Sequence, residues 1–261
     1  MSKTIVIANQ KGGVAKTSTA HCMATGLSYM KHKVLVVDTD PQGNLTYIMG
    51  ADSNKPGVYE LINDQILAPE AVQHVGQGSV ISSNTRLANA NREMTGKGVY
   101  MRLAEALKPF EAVYDYIIID TPPAMGIISI NALTAAEDVI IPMTADVLSL
   151  NGLNQLYGTI KAMKKTNAAL NIAGILLCRY SNRTVLAREF RQTIEERARQ
   201  MDTMLFNTTI REGVALKEIQ ANRANPYDAL FKSKPASDYL SFTKEYINLP
   251  PPVGVGAEKP D

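Results

Sequence analysis

The chain has 261 residues, 45% of them apolar and 20% charged, with a formal net charge of +2. These are the proportions of a soluble globular protein, and the length suits one large α/β domain. No apolar run reaches the ~18 residues of a membrane helix; no charged-then-apolar leader precedes the first strand, so a cytoplasmic protein is expected. In chain order, residues 4–8 (Thr-Ile-Val-Ile-Ala) predict a first β-strand. A glycine loop with two lysines follows, Lys11-Gly12-Gly13-Val14-Ala15-Lys16-Thr17-Ser18, and then a helix start over 19–24. Residues 33–37 predict a buried parallel strand that ends in Asp38, Asp40 and the turn Pro41-Gln42-Gly43. The stretch 50–114 carries no readable motif. Residues 116–119 predict another buried strand, ending in Asp120 and the rigid turn Pro122-Pro123. Beyond it, 133–136 read as the end of a short helix, 139–142 as a strand and 152–165 as a helix. Residues 172–177 then read as a strand, 186–200 as a helix and 205–210 as a strand. Alternating β and α units predict an α/β fold, a mostly parallel twisted sheet flanked by helices. The domain is expected to span 1–248, and the Pro/Gly-rich end, 249–261, to be a disordered tail.

A strand, a glycine loop with lysine, then a helix is the context of a phosphate-binding loop. Glycines let backbone N–H groups approach phosphate oxygens, and a helix N-terminus favours the anion. Lys16 is placed to reach the terminal phosphates and the Thr17 hydroxyl to bind Mg²⁺. The loop departs from the usual pattern: Gln10 and Ala15 stand at its two glycine positions, and Lys11 heads it. Ala15 is expected to fit with a negative φ. Asp38, Asp40 and Asp120 lie at the C-terminal ends of predicted strands, where open α/β sheets place their ligands. Taken singly, each aspartate is as well explained as a turn former. Cys22 and Cys178 supply neither a disulfide framework nor a metal spacing and read as small core hydrophobes. His21, His32 and His74 are scattered and receive no chemical role.

Lys11-Gly12-Gly13-Val14-x-Lys16-Thr17 resembles the deviant phosphate loop of the ParA/MinD class of ATPases. Asp38-Thr39-Asp40-Pro41-Gln42-Gly43-Asn44 is similar to the wording of its ParA/Soj subgroup. Val147 to Leu153, Arg183-Thr184 and Thr209 to Glu218 extend the resemblance, which covers the chain from about Lys3 to Asn248. The resemblance implies a deviant phosphate-loop NTPase fold binding ATP and Mg²⁺, with slow, partner-stimulated hydrolysis. Residues Lys11, Gly12, Gly13, Val14, Ala15, Lys16, Thr17 and Ser18 would cradle the nucleotide. Thr17 would ligate the metal, Asp120 would hold a metal-bound water and Asp38 would support the metal shell. Lys16 would neutralise phosphate charge, Asp40 would position the attacking water, and Lys11 would act across a homodimer interface on the partner's phosphates. These are electrostatic and positioning roles, as phosphoryl transfer requires. One family stretch is not kept: Ile219-Gln220-Ala221-Asn222-Arg223-Ala224-Asn225-Pro226 stands where the class has an Ala-Pro-Ser-His-Gly-type segment.

The small net charge hides an asymmetry. Residues 1–150 hold 11 Lys+Arg against 14 Asp+Glu, a balance of −3, and residues 151–261 hold 16 against 11, a balance of +5. Basic side chains on one face can contact phosphates without reading sequence, although several can equally be solvated helix faces paired with glutamates. The resemblance favours nonspecific double-stranded DNA, with Arg188, Arg211, Lys217 and Arg223 as candidate contacts, Arg211 and Lys217 foremost. It further implies segregation of a plasmid or chromosome with a ParB-like, centromere-binding partner, and a nucleoid-associated location. The alternative within the class is a MinD-like membrane-associated positioning ATPase. That reading needs a basic amphipathic helix at the C-terminus, and the proline-rich end does not supply one. An iron–sulfur reductase of the class would need cysteines placed for a cluster, which Cys22 and Cys178 are not.

Overall fold

The structure is a computed structural model that describes residues 2–228, 230 and 232–250. Seven strands form one sheet: β1 (Lys3–Ile7), β2 (Val34–Asp38), β3 (Val72–Val75), β4 (Gly78–Ile81), β5 (Tyr116–Asp120), β6 (Asp138–Met143) and β7 (Asn171–Leu177). Between and around them run α1 (Lys16–Tyr29), α2 (Asn44–Met49), α3 (Val58–Ile62), α4 (Ala90–Glu93) and α5 (Arg102–Leu107). They continue as α6 (Ile127–Ala135), α7 (Val147–Met163), α8 (Val185–Gln200), α9 (Val214–Ala221) and α10 (Lys234–Ile247). The strand order is β3-β4-β2-β5-β1-β6-β7, parallel throughout except for the β3–β4 hairpin at one edge.

Strand alternation divides the core. Val6, Leu35, Val37, Ile117, Ile119, Val139 and Ile141 face one apolar layer. Ile5, Ile7, Val34, Val36, Ile118 and Ile140 face the other, which also holds α1 and α10. Both faces are covered, so the central strands are near-continuous runs of β-branched residues, as parallel sheets require. Cys22 and Cys178 are fully buried in the second layer, which matches their reading as small hydrophobes.

The expected strand at 205–210 is not formed. Leu205 and Ile210 make only isolated parallel bridges, to Ile175 and Cys178. Between them, the amides of Asn207 and Thr208 donate to the Glu245 carboxylate at 2.7 and 2.9 Å, so their ladder bonds go to a side chain instead. Phe206 turns inward over Gly174, where an added Cβ would lie 2.5 Å from the ring. The helix expected at 152–165 begins five residues earlier, because Asp146 caps it by accepting from the Ser149 amide at 3.0 Å. In the unread stretch 50–114, the β3–β4 hairpin adds to β2, and α3, α4 and α5 cover the sheet. Of the predicted tail, residues 251–261 lie outside the described residues. Leu249 is described and packs against the second core layer.

Candidate nucleotide-binding site

Strand β1 lies between β5 and β6, and β5 lies between β2 and β1. The C-terminal ends of β1, β2 and β5 therefore converge, and Asp38 and Asp120 are register partners on adjacent strands. The loop after β1 turns through left-handed conformations at Gly13 (φ +75°) and at Ala15 (φ +71°) before α1 starts. The negative φ expected for Ala15 is thus corrected. An L-residue in this region costs roughly 1 kcal/mol. The first turn of α1 closes on Ala15, whose carbonyl accepts both the amide and the hydroxyl of Thr19, at 2.9 and 2.8 Å.

The loop brings its functional groups inward. Lys16 is buried, and its ammonium donates to the Lys11 carbonyl at 3.1 Å. Burial lowers the Lys16 pKa, opposed by the nearby charges of Asp120 and Asp40. The Thr17 hydroxyl donates to Asp120 Oδ2 at 2.7 Å, while Asp120 Oδ1 is buried with no hydrogen-bond partner. That orphaned oxygen beside a threonine hydroxyl fits Mg²⁺, which takes one or two protein oxygens and completes its shell with phosphates and water.

Asp38 is committed differently. Its Oδ1 accepts from the Asp40 amide at 3.1 Å, and its Oδ2 accepts from the Thr46 amide and hydroxyl, each at 2.7 Å. These bonds make Asp38 a brace that fixes the loop carrying Asp40. Asp40 is itself buried, with Oδ1 held by the Gln42 amide at 3.0 Å.

Burial pushes the Asp38 carboxyl up to about 6, against the bonds from Thr46 and the Asp40 amide. Asp120 is pushed well above the usual carboxylate range, first by burial and then by the Asp38 charge, with the Thr17 bond and Lys16 opposing. Without metal the folded protein therefore retains protons that the unfolded chain releases above pH ~4. Folding then becomes less favourable as pH rises through about 6. Asp120→Asn removes one of the two facing charges and keeps an acceptor for Thr17. We expect this variant to unfold at a higher temperature than the parent at pH 7 without metal or nucleotide, by about 1–3 kcal/mol. The gap should close toward pH 4. Thermal unfolding across that range checks this, and a gap that does not change with pH would contradict it.

Lys11 points out of the loop. Its ammonium meets both oxygens of Asp146 at 2.7 Å and the Ser149 hydroxyl at 3.2 Å. Burial would raise the Asp146 pKa, but the bonds from Lys11, Thr144 and Ser149 outweigh it and hold the carboxyl well below the usual range. Beside this pair, Val147 and Leu148 are 63% and 69% exposed. Asp146, Thr144 and Ser149 were not among the sequence candidates, and neither was Asn9. Buried Asn9 donates to the Pro142 carbonyl at 2.7 Å and accepts from the Lys11 amide at 2.9 Å, so it fixes where Lys11 leaves the backbone. Asp146 directly before the apolar pair Val147-Leu148 is a helix-cap signal and could have pointed to the start of α7.

The basic candidates are each engaged differently. Arg211 is engaged by Asp238 in a two-pronged pair of 2.7 and 2.8 Å, which fastens the 210 loop to α10. Its charge is paired in this arrangement, although the side chain is 55% exposed. Lys217 lies 3.8 Å from Glu212, with both side chains more than 60% exposed, a loose surface pair of little worth. Arg188 donates to the Asn182 carbonyl at 2.9 Å, and the Arg223 guanidinium stacks over the Tyr47 ring at 4.1 Å.

A strand, a glycine-bearing loop and a helix, with lysine, threonine and aspartate converging at the strand ends, define a P-loop NTPase. A family model described as an AAA domain matches residues 2–172. The chain is 37% identical over 257 residues to the sporulation initiation inhibitor protein Soj of Bacillus subtilis, covering 94% of this chain and 98% of that protein. It is 35% identical over 264 aligned residues to the chromosome partitioning protein ParA of Myxococcus xanthus, covering 97% and 90%. Among solved structures, a putative plasmid partition protein from Borrelia burgdorferi bound to AMPPNP superposes with a TM-score of 0.76 at 26% identity, covering 95% of this chain and 97% of that one. Cobyrinic acid a,c-diamide synthase from Mycobacterium smegmatis, with bound ATP analogue and magnesium, gives 0.82 at 31%, covering 94% and 93%. The chain belongs to the ParA/Soj family of partition ATPases.

Proposed function

We propose that the chain is a Mg-ATP-dependent dimerising ATPase that binds DNA nonspecifically and segregates a plasmid or chromosome with a ParB-like partner, as a cytoplasmic, nucleoid-associated protein. The observation that carries this reading is the position of Lys11. It faces away from its own phosphate loop, paired with Asp146 at a rim where Val147 and Leu148 are exposed, and would reach a second copy on leaving that carboxylate. Thr17 and Asp120 would hold Mg²⁺, which neutralises phosphate charge when bound. Lys16 and the loop amides bind the triphosphate, Asp38 braces the Asp40 loop, and Asp40 orients a water for hydrolysis. The same fold carries a cobyrinic acid synthase, so the fold alone decides none of this. A MinD-like membrane role finds no support in α10, whose Tyr239, Phe242 and Tyr246 are buried in the core. No described helix is long and apolar enough to cross a membrane.

The test is DNA affinity with ADP, ATP and a nonhydrolysable analogue, measured beside phosphate release. The C-terminal half carries the +5 balance, and a dimer presents it twice, which raises apparent affinity through effective concentration. We expect binding only with ATP or the analogue, independent of duplex sequence and weakening about 10-fold or more between 50 and 200 mM salt. Charge reversal at Arg188, Lys217 and Arg223 together should weaken it, while reversal at Arg211 should act mainly on stability. Protein that hydrolyses ATP yet binds no duplex at low salt would remove the DNA part of the reading.

A further inference from the structure

His21 had no chemistry assigned from the sequence, yet it is fully buried in α1, one turn beyond Thr17, at the centre of a continuous chain of hydrogen bonds. Ser18 bonds Gln220 Oε1 at 3.2 Å, Gln220 Nε2 meets His21 Nδ1 at 3.2 Å, and His21 Nε2 meets Gln77 Oε1 at 2.8 Å. Gln77, in the turn of the β3–β4 hairpin, then reaches the carbonyls of Ile48 at 2.7 Å and Arg223 at 3.0 Å.

The direction of every bond follows from those last two acceptors. A carbonyl only accepts, so the Gln77 atom facing both is its amide nitrogen, and its oxygen faces His21. His21 Nε2 must then carry the proton, and Nδ1 must accept. Gln220 therefore turns its nitrogen to His21 and its oxygen to Ser18, whose hydroxyl donates. Tautomer and amide orientations are thus assigned by the network. Burial, partly offset by the Gln77 bond, lowers the His21 pKa to about 4 and keeps the ring neutral near pH 7. A second proton on Nδ1 would face the Gln220 amide nitrogen, donor against donor.

Both ends of the chain matter to the site. Ser18 adjoins Thr17, whose hydroxyl lies on Asp120 and is the group that would bind Mg²⁺, so Ser18 sits directly beside the proposed nucleotide and metal contacts. At the far end, Arg223 has a left-handed backbone (φ +53°) and is held by the Gln77 bond to its carbonyl and by Tyr47 beneath its guanidinium. The Tyr47 hydroxyl in turn donates to the Ala221 carbonyl at 3.3 Å. A strained residue persists only where its surroundings over-determine it. We propose that Ser18, Gln220, His21 and Gln77 form a positioning relay, through which nucleotide at the phosphate loop sets the placement of α9 and of the turn that presents Arg223. The relay rests on the nucleotide-binding reading above, because its input is the bound state of the loop.

The test uses the full chain, with hydrogen exchange at the amides of 219–224 measured with and without a nonhydrolysable Mg-ATP analogue. Analogue affinity by calorimetry and thermal unfolding are measured beside it. Gln77 is half-buried in a surface turn, so Gln77→Ala should fold normally. It should keep analogue affinity within about threefold, less than the loss of one charge-assisted hydrogen bond to the nucleotide would cause. It should also keep the exchange response at 219–221 and lose it at 222–224. Two further variants cut the chain on opposite sides of His21. His21→Asn places an acceptor where Nδ1 stood, keeps the Gln220 half and should behave as Gln77→Ala. His21→Gln places a donor where Nε2 stood, releases Gln220 and should lose the response over the whole segment. In the ATP form, Gln77→Ala should bind DNA about tenfold more weakly, the loss of about one hydrogen bond from the coupling. An undiminished response at 222–224 in Gln77→Ala overturns the relay, as does a parent that binds the analogue without any change over 219–224. A parent that binds no analogue overturns the nucleotide reading itself, and the relay with it.

Discussion

Lys16→Ala should lose at least about 100-fold in affinity for Mg-ATP, because it removes charge-assisted bonds worth roughly 1.5–3 kcal/mol each. The ammonium is buried, anchored on the Lys11 carbonyl and set against Asp120 and Asp40. Without it the triphosphate meets three carboxylates, Asp38, Asp40 and Asp120, and only the loop amides and the metal remain to balance the charge. Burial already disfavours the charged lysine in the nucleotide-free protein. Deleting it should therefore cost little stability, and alanine suits the first position of α1. Calorimetry with Mg-ATP and thermal unfolding without it separate the two effects. Near-parental affinity in a folded variant would remove the phosphate-loop assignment.

The parts of this site that were legible in the sequence are those whose chemistry is local. The loop, its lysines and Thr17 lie within eight residues (Lys11 to Ser18), after an apolar run and before a helix. Asp38 and Asp120 each end a run of buried β-branched residues, and parallel pairing makes them neighbours. The illegible parts depend on contacts between distant segments. Asp146 reaches Lys11 across 135 positions, and Gln220 reaches His21 across 199. No periodicity encodes either pairing. Residues 205–210 misled for a related reason: their apolar pattern is that of a strand, but Glu245, on a helix that comes later in the chain, takes two of their amides. Arg211 looked free because Asp238, its partner, lies 27 positions away. The stretch 50–114 stayed silent because its strands and helices run only four to six residues each. Such lengths are too short for a helical or strand period to stand out.

Lys11→Ala should bind Mg-ATP as a monomer, fail to form the ATP dimer and lose at least about 100-fold in turnover, the scale on which removal of one charge-stabilising donor acts. Lys11 meets Lys16 only through its backbone carbonyl, which an alanine keeps; its ammonium is held instead by Asp146, Thr144 and Ser149 on the far side of the loop. Its loss should therefore leave the subunit's own phosphate contacts in place and remove only what it gives to a partner. The Asp146 pair also sets a cost, since Lys11 must leave that carboxylate to reach across an interface. Asp146→Asn tests this half of the argument: asparagine still caps α7 but no longer holds an ammonium by charge. Asp146→Asn should dimerise with ATP at lower protein concentration than the parent, while Lys11→Ala should not dimerise at any concentration that the parent needs. Sedimentation with a nonhydrolysable analogue reads both. A Lys11→Ala dimer of parental stability would place the lysine's work inside its own subunit. Unchanged dimerisation in Asp146→Asn would show that the ion pair does not restrain Lys11.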